Sequence, residues 1–82
     1  MSERLQMQGK LVGLEQDQHR LTMRIDGLCQ SIRTLINPAL VEIDDMDIAM
    51  AAQQMDELLM AHAERLGVGS KIRRLKMELG RG

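Results

Sequence analysis

Three groups of side chains in this sequence could do chemistry, and the first is a cluster of carboxylates. Asp44, Asp45 and Asp47 stand within the stretch "DDMD", and oxygen ligands of this kind hold divalent cations in proteins. The stretch lacks the glycine turn and the distal glutamate of a calcium-binding loop. Aspartate is also a favoured cap for the first turn of a helix, where it accepts hydrogen bonds from backbone N–H groups. The cluster therefore predicts the start of a helix rather than a metal site.

The two histidines and the single cysteine form the second group. His19, Cys29 and His62 do not have the spacing of zinc ligands. One cysteine cannot form an internal disulfide, and it suits a reducing compartment. The sequence contains no nucleophile motif and no glycine-rich phosphate loop. We therefore expect a protein that is not an enzyme, binds no metal or cofactor, and has no small-molecule substrate.

The third group is the basic segment "SKIRRLKMELGRG", which holds five of the eleven basic residues of the chain. The candidate contacts to nucleic-acid phosphates are Lys71, Arg73, Arg74 and Lys76. The apolar residues that share one side of this segment in a helix are Val68, Ile72, Leu75 and Leu79. The chain has no aromatic side chain to stack on bases. We expect a helix that docks on protein through its apolar side, with nucleic-acid binding as the alternative.

The elements that position these groups begin with a long heptad repeat in the first half of the chain. The residues at seven-residue intervals are Met7, Leu14, Leu21, Leu28 and Leu35. The residues that alternate with them are Leu11, Gln18, Ile25 and Ile32. This spacing is typical of a coiled-coil seam and predicts a helix over 3–36. Gln18, the polar member of the seam, could fix the register of the packing.

A second and a third helix follow a short connection. Pro38 ends the first helix and predicts a loop over 37–44. A second seam repeats in the next segment, at Ile48, Ala52, Met55, Leu59, His62 and Leu66. It predicts a helix over 45–66 that is antiparallel to the first. Gly67 is a typical residue to end that helix, and Ser70 is a typical cap for a short third helix over 70–79. The predicted fold is an all-α single domain over 1–82, a coiled-coil-like hairpin with a short C-terminal helix.

Size and composition favour self-association. The chain has 82 residues, eight methionines and no Phe, Tyr or Trp, so its core lacks the side chains that bury the most surface. Small chains without disulfides or metals often oligomerise. We therefore expect a homodimer that forms a helical bundle. The residues predicted to line its interface are Leu21, Ile25, Leu28, Ile32, Ile48, Met55 and Leu59.

Charge is divided by segment. Residues 37–64 carry seven acidic and no basic side chains, whereas residues 65–82 carry six basic side chains and one acidic. We expect the basic segment to lie against the acidic helix of the same chain or of its symmetry mate.

The first ten residues are polar, and no run approaches the ~20 apolar residues that span a bilayer, so the predicted location is cytoplasmic, without a membrane span.

These patterns together predict a small protein–protein interaction module that acts as an oligomeric adaptor, regulator or inhibitor, by occlusion or by bridging. Three methionines outside the second seam, Met46, Met50 and Met60, are the predicted surface for a protein partner, since methionine adapts to varied contacts. One alternative is a nucleic-acid-binding regulator that uses the basic C-terminal helix of a dimer. Another is a structural component of a larger assembly, such as a phage particle.

Overall fold

Two long α-helices joined by a short connection make up the computed structural model, which describes residues 2–81 and, for Arg81, the backbone only. Helix α1 spans Glu3–Leu35 and helix α2 spans Ile48–Arg81. They pack side by side in opposite directions as a rod of 61 × 17 × 15 Å. The predicted all-α hairpin is confirmed.

Local hydrogen bonds set the limits of α1. The Ser2 side chain caps its start, because Ser2 Oγ accepts a hydrogen bond from the Leu5 N–H at 3.3 Å. After the helix ends, Asn37 Oδ1 accepts from the Ala39 N–H at 2.9 Å, which folds the chain into a turn around Pro38. The observed end at Leu35 is one residue short of the predicted one.

The second helix begins three residues later than predicted. Asp44 and Asp45 lie in a short 3₁₀ turn, Ile43–Asp45, and the backbone at Met46 is extended. The cap of α2 is Asp47, whose Oδ1 accepts a hydrogen bond from the Met50 N–H at 2.9 Å. The carboxylate cluster does precede a helix, as predicted, but its last member supplies the cap.

The predicted break after residue 66 is wrong, because α2 runs unbroken from Ile48 to Arg81. Within residues 2–81 no glycine has a positive φ, so Gly67 does not end a helix. Ser70 does not cap one either, since its Oγ donates to the Leu66 carbonyl one turn back at 3.2 Å. The predicted third helix is therefore the last part of α2.

Packing explains this continuity. In α1 the predicted heptad faces α2, with Leu21 only 1% exposed and Ile32 also buried. In α2 most of the buried and half-buried residues follow one row, with Glu57 and Gly69 beside it. The row consists of Ala51, Gln54, Leu58, Ala61, Arg65, Val68, Ile72, Leu75 and Leu79. This row keeps the alternation of three and four residues across Gly67 without interruption, so the helix buries the same face along its whole length.

The seam predicted for α2 is wrong by one residue. The predicted row, extended past Leu66 at the same spacing, reaches Gly69, which has no side chain to pack, and then the exposed cations Arg73 and Lys76. The observed row instead reaches Val68 and Ile72, which form a core cluster with Leu21. A straight helix turns one face to its neighbour, so the row with apolar residues at both ends is the one buried.

Continuity of α2 also separates the charged segments. The basic residues after position 65 extend away from the acidic residues of 37–64 along the same helix, so they cannot fold back onto them. The expected contact within one chain is therefore wrong. Contact with a symmetry mate stays a prediction.

Replacing Gly67 with alanine distinguishes a continuous helix from a break. No described atom lies within 4 Å of the place where a Cβ would stand. We expect Gly67→Ala to raise the free energy of unfolding by about 1 kcal/mol, the usual difference between glycine and alanine inside a helix. Gly27→Ala, at another open helical position, is the matched control and should give a similar gain. Urea unfolding followed by far-UV circular dichroism measures both; a loss of stability for Gly67→Ala alone would indicate a left-handed residue and a broken helix.

Candidate functional site

The most prominent surface feature is a row of exposed side chains on α2, here called the apolar strip. It consists of Ile48, Ala52, Met55, Leu59, His62 and Leu66. Its four large apolar members are between 51% and 69% exposed. The strip is the row that the sequence predicts to be the seam, and the hairpin leaves it in solvent.

Helix geometry places the strip beside the buried face. From Ala52 onward, each of its members is one residue away from a member of the buried row, a rotation of ~100° around the helix axis. The strip therefore points sideways, past the edge of α1. It adjoins a shallow groove between the two helices, lined by Ile25 and Cys29 of α1 and by Met55, Leu58, Leu59 and His62 of α2. The groove extends the apolar surface across both helices.

The chemistry of this surface suits binding rather than catalysis. Its polar groups are the thiol of Cys29, which is free and half-buried, and the exposed imidazole of His62. The remaining groups are aliphatic or thioether side chains, which gain ~25 cal/mol for each Å² removed from water. Apolar side chains at successive helical turns fit the face of another helix.

The opposite side of the hairpin is charged. A cleft there is lined by Arg20, Leu21, Arg24, Glu57, Met60, Ala61 and Glu64. Arg24 Nη2 lies 4.0 Å from Glu57 Oε2, and since both side chains are about half exposed this ion pair contributes at most about 1 kcal/mol. The two sides thus differ in character, and the apolar strip has no charged member.

The methionines predicted as a partner surface do not belong to the strip. Met60 is 74% exposed and stands in the charged cleft. Met46 is half-buried next to the connection, and Met50 lies in the first turn of α2. Ten residues separate Met50 from Met60, about 15 Å along a helix. The structure does not bring the three into one patch.

The predicted dimer-interface residues divide into two sets. Leu21 and Ile32 are buried in the hairpin itself, so they are unavailable to a second chain. Ile25 and Leu28 are half-buried in the same seam, whereas Ile48, Met55 and Leu59 are exposed on the strip. Leu21 and Ile32 are buried because α1 packs on α2 of its own chain through the face predicted to meet a second chain. An interface through the other five residues stays a prediction.

The basic residues of the C-terminal segment divide between surfaces. Lys71 and Arg74 line a groove with Leu14, Leu75 and Lys10 of α1. Arg73 turns elsewhere: its Nη2 donates to Ser70 Oγ at 3.1 Å, and its Nη1 lies beside Gly69. No local pattern predicts that Lys10 belongs to this groove, because only antiparallel packing brings it next to residues 61 and 64 positions away. Among the described side chains, no carboxylate lies within 4.0 Å of Lys10, Lys71 or Arg74.

A hydrogen-bonded chain across the seam positions α1 against α2. Arg65 Nε donates to Thr22 Oγ1 at 2.9 Å, and that hydroxyl donates to the Gln18 carbonyl at 2.9 Å. Sequence reasoning missed Arg65, whose only signal is a charged residue seven positions from two apolar ones, Leu58 and Ile72. Gln18 also lies near Gly69, where its side-chain nitrogen would be 3.9 Å from an added Cβ.

Removing the Thr22 hydroxyl tests this link. Thr22→Val leaves the part-buried guanidinium of Arg65 without its acceptor, and we expect it to lower the free energy of unfolding by about 1 kcal/mol. Thr34→Val is the control, because Thr34 also donates to the carbonyl four residues back, that of Gln30, yet accepts nothing from α2. Urea unfolding of the two variants gives the comparison, and equal effects would contradict a role for the Arg65 bond.

Over residues 2–81, no three or more histidine, cysteine or acidic side chains come together in a way that could hold a metal ion. Neither described helix offers a stretch long and apolar enough to cross a membrane. Comparison of the sequence with protein-family models and with curated proteins, and of the fold with solved structures, finds no match.

Proposed function

We propose that this chain is a non-enzymatic protein–protein interaction module whose apolar strip binds a helical surface of a protein. The observation that carries the proposal is the exposure of Ile48, Met55, Leu59 and Leu66 on one side of α2. A helix that is apolar on two faces is buried on both in its working state, and α1 covers only one of them.

The form of the strip favours a helix as its target. Its members recur every three or four residues over 18 residue steps, which is ~27 Å of helix. An amphipathic helix presents its own side chains at the same spacing, so the two rows can interdigitate. Binding along such a length would occlude the surface of the target or bridge it to another molecule, which is how an adaptor or inhibitor without catalytic groups works.

Site-specific photo-crosslinking in the producing cell tests this proposal. A photoreactive amino acid at Leu59 should give a discrete protein adduct. The same group at Met23, which is 61% exposed on the side of α1 that faces away from α2, should give none. Changing Met55 to Glu in the Leu59-labelled protein should reduce the adduct at least tenfold, since burying a charge in an apolar contact is unfavourable. Circular dichroism checks that the hairpin remains helical. Equal labelling from both positions, or no adduct from Leu59, would refute the proposal.

A polyanion is a second candidate ligand, favoured by the convergence of Lys10, Lys71 and Arg74 on one groove. Phosphate contacts depend steeply on salt, because each one releases bound counterions. The groove combines these cations with two leucines, and the chain has no aromatic side chain for base stacking. This chemistry supports contact with a phosphate backbone without reading of bases.

Paired charge reversals test the second candidate. If duplex DNA binds this groove, Lys71→Glu with Arg74→Glu should weaken binding at least tenfold and lower the slope of log K against log salt by about 2. The pair Arg73→Glu with Lys76→Glu makes the same change in net charge outside the groove and should act more weakly. Fluorescence anisotropy of a labelled duplex provides the readout, and equal effects of the two pairs would indicate binding to overall charge alone.

A further inference from the structure

We propose that the occupant of the apolar strip is a second copy of this chain, packed antiparallel to the first so that the two hairpins form a four-helix bundle. This inference rests on the proposed function and names its partner. Three features carry it: the symmetry of the strip, the charges at the two ends of the rod, and the area that the hairpin leaves exposed.

The strip is complementary to itself under a two-fold rotation. If the axis crosses the strip midway between Met55 and Leu59, an antiparallel copy of α2 places Ile48 opposite Leu66 of the partner subunit and Met55 opposite Leu59 of the partner subunit. In the same register Ala52 faces His62 of the partner subunit, a small side chain against a larger one. A two-fold interface uses the same patch on both subunits. In this register every member of the strip faces another member of the strip.

The rod has opposite charges at its two ends. Residues 21–65, the half that holds the connection, carry eight acidic and three basic side chains. The other half, residues 1–20 with 66–82, carries four acidic and eight basic side chains. The formal charges of the halves are therefore −5 and +4. The antiparallel register places residues 42–47, with four carboxylates, beside residues 67–72 of the partner subunit and the cations that follow.

A parallel dimer would have the opposite electrostatics. It would set acidic end against acidic end and basic end against basic end, and like charges in contact across an interface cost several kcal/mol. The antiparallel dimer forms the favourable contact twice. Exposed pairs contribute little individually, so the charges set the orientation while the apolar strip supplies the affinity.

The hairpin exposes more surface than a compact chain of its mass would. The chain exposes 6334 Å², whereas a typical folded monomer of 9.3 kDa exposes about 5,000 Å². The excess of roughly 1,300 Å² exceeds the ~800 Å² that each partner contributes to a standard interface.

Spin-label distances in the full-length chain test the arrangement. Cys29→Ser removes the native thiol, and Met77→Cys then carries the label near the free ends of the rod. Met77 lies twenty residues beyond Glu57, so an antiparallel dimer should separate the two labels by about 60 Å. In a parallel dimer the separation would be within about twice the 17 Å width of the rod. A second variant, Met60→Cys, lies near the axis and should give a short distance in either dimer.

Solution mass completes the experiment, and it needs interference optics because the chain has no Trp or Tyr. We expect twice 9.3 kDa for the Cys29→Ser protein and the monomer mass for Cys29→Ser with Leu59→Glu. The matched variant Cys29→Ser with Met23→Glu, which places the same charge on the exposed side of α1, should stay dimeric.

The outcomes separate the two proposals. A helical monomer at every concentration, or a short distance between labels at Met77, overturns the antiparallel dimer. If the monomer still gives a crosslink from Leu59 to a different protein, the proposed interaction function stands and only its partner was wrong. A monomer that gives no crosslink overturns both.

Discussion

The structure depends on one constraint, that a straight helix can turn only one face to its single neighbour. Helix α2 contains two apolar rows, one residue apart, and both begin in its first turns. Only the row that ends in Val68, Ile72, Leu75 and Leu79 stays apolar to the end of the helix. Because α1 is equally long, the full-length row is buried and the shorter row is left exposed. The candidate functional surface is thus a direct consequence of how the hairpin satisfies its own packing.

The buried seam is sparse and partly polar. Its fully buried members include Ala51 and Ala61, which contribute little apolar volume, and the seam also holds Gln18, Gln54 and Arg65. Gln54 Oε1 is buried and has no hydrogen-bond partner among the described residues, whereas Arg65 is joined to Thr22. Polar groups of this kind favour one register over others at some expense of stability. A partner that covers the exposed apolar surface would add apolar burial that this sparse seam does not supply.

Continuity of α2 also changes the meaning of the charges. If the basic segment were a separate helix, it could fold back and pair with the acidic segment of its own chain. In one straight helix, the carboxylates of residues 42–47 and the cations from Lys71 onward are at least about 36 Å apart along a 61 Å rod. That separation exceeds the ~10 Å over which salt screens exposed charges. The charge pattern therefore acts between molecules. It provides orientation for a partner with the reverse order of charge, and the antiparallel copy is one such partner.

Much of the fold was determined by the sequence alone, and the reason differs between the helices. The heptad of α1 has a single apolar row, so its extent, its buried face and the turn at Pro38 follow from local spacing. The same holds for the apolar side of the C-terminal segment, from Val68 to Leu79. In α2 there are two apolar rows, and either could be the buried one. Gly67 locally favours the end of a helix and Ser70 the start of another, and two separate helices could each bury a different face.

Only the tertiary structure decided between those rows, because the choice depends on burial against α1 along more than thirty residues rather than on any local signal. The same packing joined Lys10 to Lys71 and Arg74, linked Arg65 to Thr22, and moved Leu21 and Ile32 from an interface between chains to the interior of one. These are contacts between residues far apart in the chain. Their pairing is set by the register of two helices, which local sequence patterns do not specify.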